Sequence, residues 1–461
     1  GLKTNVKPEN LLRPTERARQ IAKIRVDQEV FLDRYDARPI DNVKQFQRIP
    51  FLAFKADAAT LEQMKNDPQI LSVEEDVLDA PTLAESTAIV GAPAAWASGF
   101  SGAGQNIAIL DSGVDKNHPL LAGKVVSEAC YSTTVGNTTS VCPNGVAETT
   151  EPNSGVNCPT NVAGCAHGTH VAGIAAGRGA NFSGVAKDAN IIAIQVFSRV
   201  NSASDCGTNP APCALSYVSD QVKALERVLA LSETMPIAAV NMSLGGGRYT
   251  AHCDLVQPSR KAIIERLRAV GVATIISSGN NSYTDSMGAP ACISSAISVG
   301  STDDGGSGTT ADAVSGFSNS SSLVTVLAPG RWISSSVPGG GYSNYSGTSM
   351  AAPHVAGAFA VLKQRRPDAN VTQSLHALTF SGQPITDTRN NVRKSRIRLD
   401  NALNAVSVKR APFDYDGDGR AEIAVFRPAN GTWYFQNSQT GDFGAQQFGL
   451  PTDLPAPADF D

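Results

Sequence analysis

The stretch Asn106-Ile-Ala-Ile-Leu-Asp-Ser-Gly-Val-Asp115 indicates the fold class of this 461-residue chain. Its first five residues are almost continuously apolar, which is typical of a parallel strand buried on both faces. The strand runs into an acidic residue, and a carboxylate at the end of a buried strand is costly unless another group pairs with it. We therefore predict a strand over Asn106–Leu110 whose Asp111 is held by a partner side chain. A helix-capping aspartate is the simpler alternative.

Five further runs rich in Ile, Val and Ala follow this strand, and helical patterns lie between them. The strand candidates are Ile191–Val196, Ile237–Met242, Val272–Ser277, Ala296–Val299 and Leu323–Leu327. The helix candidates are Val218–Leu231, Ser259–Ala269 and Ser349–Gln364. This alternation predicts an α/β fold, a doubly wound parallel sheet with helices on both sides. Right-handed crossovers bring the carboxyl ends of the strands to one edge, where ligand sites in such sheets lie.

A second polar segment is His167-Gly-Thr-His-Val-Ala-Gly173, in which small residues recur at helical spacing. The pattern predicts a tightly packed helix with His167 at its entry. A histidine is a partner that an aspartate at a strand end could orient. The alternatives are a hydrogen-bonded core histidine, or two metal ligands at His167 and His170. The HExxH motif of zinc proteases is absent and no third ligand is evident, which disfavours a metal.

The third segment, Tyr345-Ser-Gly-Thr-Ser-Met-Ala-Ala-Pro353, places a serine where a helix is predicted to begin. Gly347 allows a sharp turn, and Ser349 follows it at the helix start. Such a serine can be a helix N-cap. It can also be a nucleophile whose developing oxyanion meets the free N–H groups of the helix start. Ser349 lacks the following glycine of the G-x-S-x-G elbow, which disfavours an α/β-hydrolase.

Together the three segments resemble the subtilase family, over about residues 87–406. The matching strings, in the family's order, are Leu110-Asp-Ser-Gly-Val114, His167-Gly-Thr-His-Val-Ala-Gly173 and Gly347-Thr-Ser-Met-Ala-Ala-Pro353. The resemblance implies a subtilisin-like catalytic domain and a serine endopeptidase. In that family Ser349 would be the nucleophile, His167 the general base and Asp111 the residue that orients the histidine.

The resemblance also implies an oxyanion donor and a substrate site. Asn280, within Ser277-Ser-Gly-Asn-Asn281, matches the family's oxyanion amide, although an asparagine in a turn after a strand would look the same in isolation. The segment Ser243–Gly247 resembles the edge that pairs with an extended substrate. A glycine at the pocket floor implies a preference for large apolar or neutral side chains before the cut. The implied substrate-binding residues are Ser243, Leu244, Gly245, Gly279 and Gly288.

The first 80 residues differ in composition, with 27 charged residues and no cysteine, which predicts a separate N-terminal unit over residues 1–82. Strands are predicted at Glu29–Leu32, Phe51–Phe54 and Ile70–Val77, and a helix at Ala59–Asn66. The unit resembles the subtilase propeptide, a small α/β plait. That resemblance implies that it assists folding, then inhibits the catalytic domain, and is cleaved near residues 78–86. An unrelated docking domain is the alternative.

The segment 411–461 is predicted to be a β-rich, incomplete repeat. It resembles FG-GAP/VCBS-type repeats, and the terminal Ala458–Asp461 echoes Phe413–Asp416 as if a second repeat began there. Oxygen ligands at alternate positions suit Ca²⁺, and the predicted ligands are Asp414, Asp416, Asp418 and Glu422. A turn without metal is the alternative. The family's usual calcium-binding aspartate soon after Asp111 is not evident in Asn117–Leu121.

Eight cysteines lie in the middle of the chain, and no CxxC pair is present, which disfavours zinc. An even number of cysteines favours disulfides formed in an oxidising compartment, and hence a secreted protein. The full connectivity is not derivable, but Cys206–Cys213 and Cys253–Cys292 are the pairs we expect. The chain opens at Gly1–Thr4 without an apolar run, so we expect a signal peptide to have been removed already or left out of this sequence.

The remaining composition indicates an ordinary soluble surface, and the resemblance to subtilases implies polypeptide substrates. The net charge is −4, and no Lys/Arg-rich run suggests nucleic-acid binding. No apolar stretch approaches the roughly 18 residues of a membrane span. We expect a secreted monomer without an organic cofactor, made as a zymogen whose propeptide is its own inhibitor. A catalytically silent subtilase-fold binding or adhesion protein is the alternative, and the intact catalytic segments disfavour it.

Overall fold

The structure is a computed structural model, and it divides the chain into two compact units, Gly1–Ala80 and Pro81–Asp461. It describes residues 2–7, 12–36, 38–45, 50–73, 83–207, 209–306, 308–407, 423–436 and 443–447. Within these ranges no helix is both long enough and apolar enough to cross a membrane.

The described residues of the N-terminal unit form two helices and a two-stranded antiparallel sheet. Its elements are α1 (Pro14–Arg34), β1 (Ile40–Gln45), β2 (Leu52–Ala56) and α2 (Ala58–Lys65). The helix predicted at Ala59–Asn66 is α2, and the strand predicted at Phe51–Phe54 overlaps β2. Asp57 caps α2 by accepting a hydrogen bond from the Thr60 N–H at 2.7 Å, which satisfies one free donor of the first turn.

The strand predicted at Glu29–Leu32 is wrong, because these residues lie inside α1. Three buried residues of α1, Ile24, Gln28 and Phe31, and the buried C-cap residue Tyr35 recur every three or four positions and form one helical face. A window of four residues is too short to reveal this period, so the apolar run Val-Phe-Leu looks like a strand when taken alone.

The strand predicted at Ile70–Val77 is not formed in its described part. Ile70 makes a single antiparallel bridge with Leu2, and residues 71–73 belong to no strand. Residues 74–77 lie outside the described residues.

The second unit alternates strands and helices along most of its length. Its strands are β3 (Asn106–Asp111), β4 (Val125–Tyr131), β5 (Thr138–Thr139), β6 (Glu148–Thr149), β7 (Asn190–Gln195), β8 (Ser198–Val200), β9 (Cys213–Leu215), β10 (Ile237–Met242), β11 (Gly246–Tyr249), β12 (Ala273–Ser277), β13 (Met287–Ala289), β14 (Ile297–Thr302), β15 (Val326–Pro329), β16 (Ile333–Val337), β17 (Gly341–Tyr345), β18 (Gln383–Thr386) and β19 (Arg393–Arg396). Its helices are α3 (Leu83–Ile89), α4 (Ala92–Ala97), α5 (His167–Ala176), α6 (Ala203–Cys206), α7 (Val218–Ser232), α8 (Pro258–Ala269), α9 (Thr348–Arg365), α10 (Val371–Phe380) and α11 (Leu399–Ser407).

Ten strands form one large sheet in the order β18-β19-β15-β14-β12-β10-β3-β7-β4-β6. The pairs from β19 to β4 are parallel, and β18 and β6 close the two edges in antiparallel pairing. All six strands predicted in this unit belong to this sheet, and the predicted helices are α7, α8 and α9. The strand predicted at Leu323–Leu327 begins later, at Val326.

Helices cover both faces of the sheet, as the alternation predicts. Ile107 and Ile109 of β3 pack in a cluster with residues of α5 and α9. Ala108 and Leu110 of the same strand pack in a second cluster with residues of α7 and α8. Since successive side chains of a strand point to opposite faces, these two clusters are the two helical layers.

Three neighbouring strands, β12, β10 and β3, end at the same edge of the sheet because they are parallel. Asn280 and Ser243 lie in the segments that follow β12 and β10, and Asp111 is the last residue of β3. The antiparallel hairpin of β16 and β17 leads directly into α9, which begins beside this edge at Thr348. The topology therefore gathers the sequence motifs at one place.

The described part of the predicted repeat segment is an antiparallel meander of three strands. These are β20 (Ile423–Arg427), β21 (Thr432–Gln436) and β22 (Phe443–Gln447).

All eight cysteines are paired in disulfides. Both expected pairs, Cys206–Cys213 and Cys253–Cys292, are formed. The other two pairs are Cys130–Cys142 and Cys158–Cys165.

Candidate active site

Asp111 is the last residue of β3, and its side chain is completely buried. Its Oδ1 accepts a hydrogen bond from the Ser112 N–H at 2.7 Å and lies 2.8 Å from Nδ1 of His167. A carboxylate oxygen can only accept, so Nδ1 of His167 carries the proton. The partner that the sequence predicts for this buried carboxylate is therefore the histidine, which leaves Nε2 on the opposite edge of the ring.

His167 opens α5, and a glycine lets the helix approach the strand end closely. The Gly168 N–H donates to Ser112 Oγ at 3.0 Å. A Cβ at Gly168 would clash with the carbonyl oxygen of Gly113, so a larger residue would push His167 away from Asp111. The side chain of His167 remains 26% exposed, while Asp111 is covered.

The electrostatic surroundings of His167 favour its protonated form. Burial of the ring opposes the charge, but the adjacent Asp111 carboxylate and its hydrogen bond outweigh burial and raise the pKa of His167 above its ordinary value. The carboxylate thus stabilises an imidazolium and fixes the ring at the same time.

Ser349 is the second residue of α9, and its side chain is half-buried. Its hydroxyl donates to the carbonyl oxygen of Ser243 at 3.3 Å. In return, Ser243 Oγ donates to the carbonyl oxygen of Ser349 at 2.8 Å. These two contacts fix the start of α9 against the residue that follows β10.

Asn280 lies three residues beyond the end of β12, beside the start of α9. Its Oδ1 accepts from the N–H of Thr348 at 2.8 Å and from the Thr348 hydroxyl at 2.9 Å. Since the amide oxygen is engaged, the Nδ2 donor is the group left for another partner. A Cβ at Gly347 would lie 3.1 Å from that Nδ2, which puts the amide beside the turn before Ser349.

One cleft of about 390 Å³ brings the predicted site residues together. Its lining includes His167, Ser349, Asn280 and the five predicted substrate residues Ser243, Leu244, Gly245, Gly279 and Gly288. Asp111 does not line it and lies buried behind His167. No aspartate, glutamate, lysine or arginine is among the described residues that line this cleft.

Residues 102–395 match the model of the subtilase family, which is more than half of the chain. The chain belongs to the subtilase family. Subtilisin E of Bacillus subtilis (strain 168) is 29% identical over 332 residues, which cover 70% of this chain and 73% of the relative. Alkaline elastase YaB of Bacillus sp. (strain YaB) is 31% identical over 332 residues, which cover 71% of this chain and 73% of the relative.

A solved structure supports the fold of this subtilase. A protease of Pseudoalteromonas arctica PAMC 21717 is 23% identical and has a TM-score of 0.54, over 69% of this chain and 94% of that chain. The family match and the sequence relatives together identify the chain as a subtilisin-like serine protease.

The second histidine of the subtilase motif has surroundings that do not suit a metal ligand. His170 Nε2 donates to the carbonyl oxygen of Ser343 at 2.9 Å, and its ring stacks on Tyr345 with 4.3 Å between centroids. Burial lowers the pKa of His170 to about 3, so the ring is neutral. His170 joins α5 to β17, the strand that precedes the Ser349 turn.

The predicted calcium ligands Asp414, Asp416, Asp418 and Glu422 lie outside the described residues. Within the residues that the structure does describe, no group of three or more His, Cys, Asp or Glu side chains could hold a metal ion.

Several residues of the subtilase cleft were not found from the sequence. Gly164, Phe197 and Ala214 line it, and Gly164 and Ala214 belong to or adjoin the loops closed by Cys158–Cys165 and Cys206–Cys213. The Ala214 N–H donates to the carbonyl oxygen of Ala163 at 2.9 Å, which joins the two loops. Their place in the cleft depends on a pairing between distant loops that leaves no local sequence signal.

Proposed function

We propose that this subtilase is an endopeptidase that cleaves peptide bonds through an acyl-enzyme on Ser349. The observation that carries the proposal is the 2.8 Å hydrogen bond between His167 and Asp111 in a cleft that also contains Ser349 and Asn280. Each group then has the chemistry that acyl transfer requires.

In the first step the Ser349 hydroxyl attacks the scissile carbonyl carbon, and Nε2 of His167 removes its proton. The hydroxyl must turn away from the carbonyl oxygen of Ser243 to do so, and catalytic hydrogen bonds of free enzymes commonly form only with substrate bound. The tetrahedral intermediate collapses when His167 returns the proton to the leaving amine. Water then attacks the acyl-enzyme by the same route and releases Ser349.

Asn280 Nδ2 and the Ser349 N–H are the proposed donors to the oxyanion. The bonds from Thr348 to the Asn280 Oδ1 support this role, because they occupy the acceptor end of the amide and leave its donor end available. One such donor is typically worth about 10²–10³ in kcat.

The substrate is proposed to bind as an added strand beside Ser243–Gly245, which follow β10 and belong to no ladder of their own. The small residues Gly245, Gly279 and Gly288 leave room beside this segment. Because none of the described residues that line the cleft has a carboxylate, ammonium or guanidinium group, we propose a preference for apolar or neutral side chains before the scissile bond.

The N-terminal unit is proposed to be a propeptide that inhibits the catalytic domain until cleavage near residues 78–86. Its separate compactness and its high charge density support a detachable unit. We also propose that the protein is secreted, because four disulfides persist in oxidising compartments. Calcium binding by the segment from Asp414 to Glu422 stays a prediction from the sequence, which calorimetric titration with CaCl₂ would test against Asp416→Ala.

The test of the proposal compares casein hydrolysis by the wild-type chain and by Ser349→Ala, with and without a sulfonyl fluoride. We expect hydrolysis by the wild type, its loss on inhibition, and a loss of about 10⁶-fold in kcat in Ser349→Ala, as in a relative with this triad. We also expect Ser349→Ala to retain residues 1–80 if cleavage is autocatalytic. Undiminished hydrolysis by Ser349→Ala would contradict the assignment of the nucleophile.

A further inference from the structure

Behind the loop that carries Asn280 lies a fully buried asparagine, Asn319, which the mechanism above does not use. Asn319 belongs to the segment between β14 and β15 and does not line the cleft. The hydrogen bonds of its side chain all lead to the loop of residues 278–283. A buried amide has four hydrogen-bonding positions that must be satisfied, so where they go is informative.

The side chain of Asn319 binds the loop on both sides of Asn280. Before it, Asn319 Nδ2 donates to the carbonyl oxygen of Ser278 at 3.1 Å. After it, Asn319 Oδ1 accepts from the N–H groups of Asn281 at 2.9 Å and Tyr283 at 3.2 Å. One amide therefore clamps the backbone on either side of Asn280.

Main-chain contacts of Asn319 complete the clamp. Its N–H donates to the carbonyl oxygen of Gly279 at 2.9 Å, and its own carbonyl oxygen accepts from Ser278 Oγ at 3.0 Å. Gly279 has φ +107, and a Cβ there would clash with Asn319 Nδ2. The left-handed turn of the loop and the position of Asn319 thus depend on each other.

The clamped loop is joined to the nucleophile's helix through Thr348. The Gly279 N–H donates to Thr348 Oγ1 at 3.1 Å, and Thr348 donates to Asn280 Oδ1. The direction of the Asn280 amide is set by a backbone that Asn319 holds from behind. A donor must stand within about 2.7–3.1 Å of the developing oxyanion, so a small movement of this backbone has a large effect on the rate.

We propose that Asn319 is a positioning residue for the oxyanion donor: it holds the Asn280 loop so that Nδ2 meets the transition state. The inference rests on the proposed function of Asn280. It predicts that removing the Asn319 side chain lowers kcat by about 10- to 100-fold, part of what losing the donor itself costs. KM is expected to change by less than about twofold, because Asn319 lies outside the cleft and interactions made only in the transition state appear in kcat.

The experiment is a double-mutant cycle of Asn319→Ala and Asn280→Ala in the full chain, with rates divided by the amount of Ser349 titrated to completion by a sulfonyl fluoride. Titration makes kcat independent of any unfolded fraction. If Asn319 acts through Asn280, Asn319→Ala should lower kcat by less than about threefold in a chain that already carries Asn280→Ala. An equal loss of kcat on Asn319→Ala in the wild-type and Asn280→Ala backgrounds would overturn the inference. It would also be overturned if Asn319→Ala reduced only the amount of titratable serine and left kcat per titrated serine unchanged.

A matched control is Asn390→Ala. Asn390 Nδ2 also donates to neighbouring groups, the carbonyl oxygen of Thr284 at 2.7 Å and Ser320 Oγ at 3.0 Å, but it does not bind residues 278–283. The kcat of Asn390→Ala per titrated serine should stay within about twofold of the wild-type value. A loss as large as that of Asn319→Ala would contradict a specific role for Asn319.

The outcomes separate this inference from the proposed function. If Asn280→Ala leaves kcat unchanged, the oxyanion role of Asn280 fails and the inference about Asn319 fails with it. If Asn280→Ala lowers kcat while Asn319→Ala does not, only the inference about Asn319 fails. Should Asn319→Ala yield no titratable enzyme, Asn319→Ser keeps a polar group in the buried position, and the same dependence on Asn280 is expected of it.

Discussion

The disulfide Cys158–Cys165 closes a short loop between Asp111 and His167, and its removal should slow catalysis more than removal of the disulfide Cys130–Cys142 does. The Cys158 N–H donates to the carbonyl oxygen of Ser112, next to Asp111, at 3.0 Å. At the other end, Cys165 lies two residues before His167, whose N–H donates to the carbonyl oxygen of Gly164 at 3.1 Å. The loop is therefore fixed beside Asp111 and leads directly to His167.

The disulfide Cys130–Cys142 provides a matched control, because it closes a loop of similar size that does not lead to a cleft residue. The sequence separations are 7 for Cys158–Cys165 and 12 for Cys130–Cys142. Loop-closure entropy then gives stability losses of about 2.4 and about 2.8 kcal/mol when each pair is replaced by serines. On stability alone the two double variants should be nearly equal, with the control slightly worse.

On activity the two double variants should differ. A misplacement of His167 by a fraction of an ångström should cost about tenfold or more in kcat for Cys158→Ser/Cys165→Ser. The control should lose less than about threefold. Stability is measured by urea denaturation in the Ser349→Ala background, which removes self-digestion, and kcat is measured per titrated serine. Equal losses of kcat in the two double variants would refute the claim that this loop positions His167.

Three further predictions follow from the site. The pKa of His167 is raised, and catalysis needs its neutral form, so the acid limb of kcat/KM should have its midpoint above about pH 6.5. Asp111→Asn removes the carboxylate that raises the pKa of His167, so its pH–rate profile should have the acid limb at lower pH, with kcat reduced about 10⁴-fold. An acid limb at the wild-type pH would contradict the assignment of this limb to His167. In peptide libraries, peptides with leucine or phenylalanine before the cut should have kcat/KM about tenfold or more above those with lysine or glutamate, because no charged side chain among the described lining residues would pair with a charged substrate. A preference for charged residues would argue against this cleft as the substrate site. Gly279→Ala should lower both kcat and the melting temperature, because its Cβ would clash with Asn319. The control Gly104→Ala has φ +77 but open space around its Cβ, so it should lose about 1–2 kcal/mol of stability from backbone strain and no kcat.

The sign of the His167 titration also has a consequence for stability. A pKa that is raised in the folded state contributes stability below the unfolded-state value of about 6.5. That contribution is lost as the pH rises through the folded-state pKa. We expect activity to rise over the same interval in which this stability is lost, because the protonated form of His167 stabilises the fold and its neutral form is the proposed general base.

The fold of the second unit was predictable because its strands are buried on both faces. Runs such as Ile237–Met242 are apolar except for one residue, Asn241, and this run coincides with β10 in both bounds. Adjacency at the carboxyl edge then follows from parallel pairing. The grouping of Asp111, His167 and Ser349 came from the resemblance of their three motifs to the subtilase family. The wrong strand prediction at Glu29–Leu32 shows the limit of reading short runs, since the buried face of α1 becomes visible only over more than ten residues.

What the sequence could not provide are contacts between segments far apart in the chain. Asn319 lies 39 positions after Asn280, within the serine-rich stretch Ser318–Ser322, which resembles an ordinary loop. Its role depends on backbone groups of another loop, which carry no side-chain signature. The hydrogen bond from Ser349 to the carbonyl oxygen of Ser243 is hidden for the same reason.

The most direct test of the catalytic assignment is to trap the acyl-enzyme. The processed enzyme is mixed with a peptide p-nitrophenyl ester, quenched in acid during the first turnover, digested and analysed by mass spectrometry. The assignment predicts one acyl group on the peptide that contains Ser349, a much slower acylation in His167→Ala, and none in Ser349→Ala. An acyl group on another residue, or turnover by Ser349→Ala at the wild-type rate, would contradict it.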